Sequence, residues 1–142
     1  MKRSASAVWQ GDLKQGHGAL ATHSGVLKDT PYSFATRFEQ TPGTNPEELL
    51  AAAHAGCFTM ALSAALGGAG FVPKRLATQA VVSLEQVNGQ WTINHVQLNT
   101  EAWVPGITVT QFQNIAADAK ANCPVSRLFK AEIALSAKLE PS

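Results

Sequence analysis

The sequence is poor in charge, and what it has nearly cancels: 11 Lys and Arg stand against 10 Asp and Glu in 142 residues, a formal net charge of +1. So even a balance gives no electrostatic case for nucleic acid or an anionic membrane surface, and neither partner is expected. Cysteine is scarce as well. Cys57 and Cys123 are too few for a disulfide scaffold. In a reducing compartment they should rest as thiols, so any pairing between them would speak for catalysis or redox sensing. The basic start MKRSASAVWQG lacks the apolar stretch of a secretory signal, and a cytoplasmic location is expected. Gly-rich phosphate loops, nucleotide fingerprints, Ser-His-Asp order, internal repeats and low-complexity segments are all missing. What remains is an ordinary globular composition, 45% hydrophobic, and a length that suits a single domain over residues 1–142 with a real core.

The longest stretch without Lys, Arg, Asp or Glu runs between Glu48 and Lys74, and the rest of the chain is organised around it. Thr44–Gly70 reads as one helix about 30 Å long. Asn45 is a good N-cap, Pro46 suits the first helical position, and Glu48 completes a capping box. After Leu66, the glycines Gly67, Gly68 and Gly70 end it, and Pro73 prevents its resumption. The run is rich in Ala and Gly rather than Leu, Ile and Phe, contains His54, Thr59 and Ser63, and has no cationic cluster at its flanks, so a buried soluble helix explains it better than a membrane span. With apolar or small residues on every face, it should be buried almost all round.

Short alternating segments at 6–10 and 17–27 suggest two strands. Tyr32–Glu39 alternates with Tyr32, Phe34, Thr36 and Phe38 on one face and predicts a third. Beyond the central helix, Leu76–Val87 and Gln90–Val104 form a hairpin about Asn88–Gly89, with a change of phase that hints at a bulge near His95. A second helix, capped by Thr108 or Thr110, carries Phe112, Ile115, Ala116 and Ala119 at helical spacing. Cys123 continues that stripe, and Pro124 stops the helix there. Phe129–Leu139 alternates strictly and reads as a half-buried strand. Three strands, helix, hairpin, helix and strand make an α+β fold of antiparallel sheet against helices. An all-apolar helix needs cover on all sides, and a homodimer pairing two sheets around two central helices would supply it.

For the two cysteines the bland reading is inert core thiols. A reactive thiolate needs a nearby cation, since apolar burial raises a thiol pKa and Cys57 lies too far along its helix for the dipole to help. Arg37, just before the helix, is the candidate cation, and Glu47 could fix its guanidinium by a bidentate pair. Glu47 and Cys57 are ten residues apart, about 15 Å along one helix and roughly 80° round it. If both serve one site, a partner subunit supplies Arg37 and Glu47. His54-x-x-Cys57 shares a helix face and invites a metal reading, but no CxxC or HxxxH pair accompanies it; a packed, hydrogen-bonded histidine explains His54 better. Phe58, Met60 and Phe112 read as core fillers, or as walls of an apolar pocket beside Cys57.

The segments WQGDLKQGHGALATHSGVL, PYSFATRFE, GTNPEELLAAAHAGCFTMALS, VPGIT, AKANCPVS and KAEIALSAKL together resemble the OsmC/Ohr family of bacterial thiol peroxidases nearly end to end, and His54 favours its osmotic branch. The resemblance implies antiparallel sheets wrapped around long central helices in an intertwined homodimer, with active sites at the interface. It implies reduction of organic hydroperoxides, and of hydrogen peroxide less well, with no haem, flavin or metal cofactor. By motif, Cys57 matches the peroxidatic cysteine, Cys123 the resolving cysteine, Arg37 the activating arginine and Glu47 its carboxylate partner, with an external dithiol, such as a lipoylated protein, reopening the disulfide. Two other readings remain at this stage: an apolar-ligand-binding module, and a redox-sensing dimer without turnover.

Overall fold

The computed structural model describes residues 1–141, which form two compact units, Met1–Leu49 and a second from Leu50 onward. In the first, β1 (Ala5–Gln10), β2 (His17–Thr22) and β3 (Thr30–Tyr32) make an antiparallel sheet in the order β1-β2-β3. Gly18 stands between Trp9 and Tyr32 in register, and a Cβ there would come within 2.6 Å of the Trp9 ring and 2.5 Å of the Tyr32 ring. Its bareness lets the two rings meet edge to face at 5.4 Å. The second strand is shorter than its sequence pattern suggests. Thr22 turns the chain instead, its N–H donating to Leu27 O at 2.9 Å and its hydroxyl accepting from Leu27 N–H at 3.0 Å.

The strand expected over Tyr32–Glu39 is corrected: only Tyr32 belongs to a strand, and Phe34–Phe38 is a short helix, α1. Ser33 and Thr36 form a capping box, with the Thr36 N–H donating to Ser33 Oγ at 3.2 Å and the Ser33 N–H to Thr36 Oγ1 at 2.9 Å. Phe34 and Phe38, whose rings lie 5.0 Å apart, are four residues apart, a spacing that shares a face in a helix as well as in a strand. The cap, not the apolar pattern, decides between them.

The central helix, α2, spans Pro46–Gly68. Asn45 Oδ1 accepts from the Glu48 N–H at 2.8 Å, while Asn45 Nδ2 donates to Thr36 O at 3.0 Å and ties α1 to the helix start. At the other end Gly70 takes φ +90°. Phe71 N–H then reaches Leu66 O at 2.9 Å and Gly70 N–H reaches Gly67 O at 3.0 Å, the paired bonds of a Schellman motif.

In the second unit β4 (Arg75–Val87) and β5 (Gln90–Trp103) form the expected hairpin, with positive φ at both Asn88 and Gly89. Ser83 faces His95 but Leu84 faces Ile93, so Asn94 is the extra residue of a bulge. The helices α3 (Val109–Asn122) and α4 (Pro124–Leu128) follow, then β6 (Glu132–Leu139). Thr108 caps α3 in a box with Gln111. One expectation fails: β6 pairs β5 in parallel, so the sheet β4-β5-β6 is mixed. The helical crossover between β5 and β6 returns the chain in its original direction, as parallel pairing requires.

The core joins Val96, Leu98 and Ala102 of β5 to Phe112, Ala116 and Ala119 of α3 and to Phe58, Leu62 and Leu66 of α2. Hydroxyls bridge the same layers: Thr59 donates to Thr78 at 2.8 Å, and Thr78 meets Thr100 at 2.9 Å. Burial along α2 follows a single stripe, His54, Phe58, Leu62 and Leu66, while Ala52, Ala53, Gly56, Met60 and Ala64 are exposed. Within one chain, then, the expectation of burial almost all round is not met: the helix is covered along one stripe and open on the rest.

Candidate active site

Each unit holds one half of the candidate constellation. In the first, the turn that α1 makes before Asn45 brings Arg37 to Glu47. Arg37 Nε donates to Oε1 at 3.1 Å and to Oε2 at 3.2 Å, and Nη2 donates to Oε1 at 2.7 Å. Glu47 is buried and Arg37 exposed, and the guanidinium lies 5.2 Å from the Phe38 ring centre. Pairing along the Nε–Nη2 edge fixes the guanidinium plane and leaves its other edge free of the carboxylate. Beside it is an open cavity of about 380 Å³, lined by Trp9, Leu13, Tyr32, Phe34, Arg37 and Phe38. An apolar wall with a single fixed cation suits a molecule with a hydrocarbon body and one polar, electron-rich end.

In the second unit Cys57, midway along α2, meets Cys123, the residue at which α3 ends and α4 begins. Both are free thiols, and Cys123 Sγ donates to Cys57 Sγ at 2.9 Å. The two sulfurs come from positions 66 apart in the chain. Pro124 forces Cys123 out of helical geometry, to φ −53° and ψ 129°, which turns the side chain off the end of the α3 stripe. Burial pushes the Cys57 thiol up, the hydrogen bond the protonated thiol shares with Cys123 adds to it, and the backbone N–H of Val125 pulls the other way. Left to its own unit, then, Cys57 stays protonated at neutral pH, and a thiolate there needs a cation.

His54, one turn before Cys57, is wholly buried and shares a 2.8 Å hydrogen bond between Nε2 and Ser126 Oγ. Its ring stands edge-on to Phe129 at 5.3 Å, and Nδ1 has no partner. Burial holds its pKa below the usual histidine value, so the ring is neutral at pH 7; in the tautomer that has Nε2–H donating to Ser126 Oγ, only the Nδ1 lone pair goes unmatched. No group of three or more His, Cys, Asp or Glu residues able to hold a metal ion occurs among the described residues. Phe58 and Phe112 are fully buried core, and Met60 is exposed. Sequence reasoning missed the Val125 amide and Ser126. The run Cys123-Pro124-Val125-Ser126 carried a signal for the first: proline opens a new helical turn, whose early N–H groups are free to meet an anion.

The family described as OsmC-like protein matches residues 38–138. The peroxiredoxin OsmC of Escherichia coli strain K12 is 51% identical over 138 residues, 97% of this chain and 96% of that protein. Among solved structures, an OsmC-like protein of unknown function from Vibrio cholerae aligns with a TM-score of 0.78 at 17% identity, over 96% of this chain and 99% of that one. An organic hydroperoxide resistance protein from Elizabethkingia anophelis aligns at 0.70 and 23%, over 100% and 99%. These two share the fold.

Proposed function

The chain belongs to the OsmC-like protein family, and we propose that it works as a cysteine-based thiol peroxidase that reduces organic hydroperoxides in preference to hydrogen peroxide. The observation that carries this reading is the 2.9 Å approach of two free thiols, one on the central helix and one at a helix junction. The relationship to the peroxiredoxin OsmC supports it.

In the proposed cycle the Cys57 thiolate attacks the distal oxygen of the hydroperoxide. The O–O bond breaks, the alkoxide takes a proton and leaves as an alcohol, and Cys57 becomes a sulfenic acid. Cys123 then attacks the Cys57 sulfur, the S–O bond breaks, and the hydroxyl leaves as water with the Cys123 proton. An external dithiol, a lipoylated protein being one candidate, reduces the disulfide and is itself oxidised. Arg37 stabilises the thiolate and the negative charge developing on the peroxide, and Glu47 holds Arg37 in place. The apolar cavity beside Arg37 takes the organic part of the substrate. Two chains pair through the exposed Ala and Gly stripe of α2, wrap their sheets around the two central helices, and let the Arg37–Glu47 pair of one subunit serve Cys57 of the other. The cytoplasm, where dithiol reductants are available, is the proposed compartment.

One experiment tests the chemistry. Reduced, desalted protein receives one equivalent of an organic hydroperoxide; free thiols are then titrated after unfolding, and intact mass is read without reductant. Loss of both thiols within seconds and a mass lower by two hydrogens is expected. Cys123→Ser should lose its one thiol and stop. If both wild-type thiols survive, the cysteines are core residues and the peroxidase reading fails.

A further inference from the structure

The His54–Ser126 hydrogen bond spans the same two elements that present the two thiols. His54 is three residues before Cys57 on α2; Ser126 is three residues after Cys123 in α4. These are one-turn spacings, so the bond runs beside the sulfur pair as a second rung between the same supports. Both side chains are buried, and they lie 72 residues apart in sequence, which leaves no local reason for the contact. Phe129 closes the far side of the imidazole. The ring accepts an unmatched Nδ1 to make this one bond, an arrangement with a cost that apolar filler would avoid.

We propose that His54 and Ser126 are positioning residues: their buried hydrogen bond clasps the Cys123–Val125 turn against α2 and so sets how readily Cys57 and Cys123 close into a disulfide. This rests on the reading of Cys123 as the resolving thiol. At 2.9 Å the sulfurs are about 0.9 Å from bonding distance, so closure requires a small shift if the turn is held and an ordering step if it is loose. Pre-ordering of this kind appears as a high effective concentration of one thiol at the other. It also protects the sulfenic acid, because a prompt Cys123 forms the disulfide before a second hydroperoxide can give up an oxygen to make the sulfinic acid and another alcohol.

The test uses glutathione rather than peroxide, which separates it from the peroxidase reading. The full-length protein is equilibrated in buffers of reduced and oxidised glutathione; one oxidised glutathione takes two electrons and two protons from the dithiol and yields two reduced ones. Ser126→Ala should lower the exchange constant about tenfold, or about 30 mV, while Ser126→Thr, which keeps a hydroxyl, should stay within about twofold of wild type. His54→Leu removes the same bond from the other side and should match Ser126→Ala, with the double variant no worse than either. A residue that only stabilised the fold would lower the melting temperature of the dithiol and disulfide forms together and leave the constant where it was. An unchanged constant in Ser126→Ala or His54→Leu, or an additive double variant, overturns the proposal.

Discussion

Removing the Arg37 charge while keeping its stem separates a held catalytic cation from an ordinary surface ion pair. Exposed pairs contribute about 0–1 kcal/mol, and stripping one partner from a fully buried pair costs about 3–5 kcal/mol. Here the Glu47 side chain is 9% exposed and that of Arg37 36%, so water reaches one partner only. Arg37→Met should therefore destabilise by about 2 kcal/mol, chiefly by leaving a buried carboxylate unmatched. Glu47→Leu should cost about 1 kcal/mol, the exposed guanidinium being easily hydrated. Its loss from the first turn of α2 also forfeits a favourable interaction with the helix dipole. With both changed, no charge is left stranded, and the double variant should again lie about 1 kcal/mol below wild type, a coupling of about 2 kcal/mol. Urea unfolding with a common slope measures it. The double variant should be folded and yet at least about 100-fold slower to lose its Cys57 thiol to hydroperoxide, the scale expected when one charge-stabilising group is lost. A coupling under about 0.5 kcal/mol would falsify the claim that Glu47 holds Arg37, and an undiminished thiol reaction in the double variant would sink the activating role.

Two further outcomes are expected. His54 has a folded pKa below its unfolded value near 6.5, so its neutral burial contributes stability that is complete above about pH 6.5 and is lost as pH falls through the folded pKa. Wild type and His54→Leu, compared by unfolding from pH 8 to pH 5, should hold a constant stability difference at the alkaline end and shift in favour of the variant at the acid end; parallel curves would contradict the assignment. Gly18→Ala should cost about 1–3 kcal/mol by forcing Trp9 and Tyr32 apart, and a melting temperature equal to wild type would show that the rings have room to yield.

The sequence spoke most clearly where a residue type has a single local use. Asn45 and the glycines after Leu66 bounded α2 to within two residues, Asn88–Gly89 marked the hairpin, and the α3 stripe ran out at Cys123 where Pro124 required. Direction was hidden, because the alternation of β6 is the same whether its neighbour runs with it or against it. So was the helical nature of α1, whose Phe34 and Phe38 satisfy two periods at once. In the candidate site, Arg37 and Glu47 could be matched by charge, and the two cysteines by resemblance. Ser126 could not be found, since nothing in its neighbourhood announces a histidine 72 positions away.

The parallel pairing of β6 with β5 bears on when, during folding, the thiols first meet. Cys123 belongs to the crossover that carries the chain back so that Glu132 can lie beside His95, and pairings of this kind close large loops and form late. Before the crossover is in place, Cys57 and Cys123 lie 66 positions apart on an open chain. The short sulfur-to-sulfur approach is thus a mark of the folded chain: in a newly made or transiently opened one each thiol lacks the other as a neighbour and is open to pairing with other molecules.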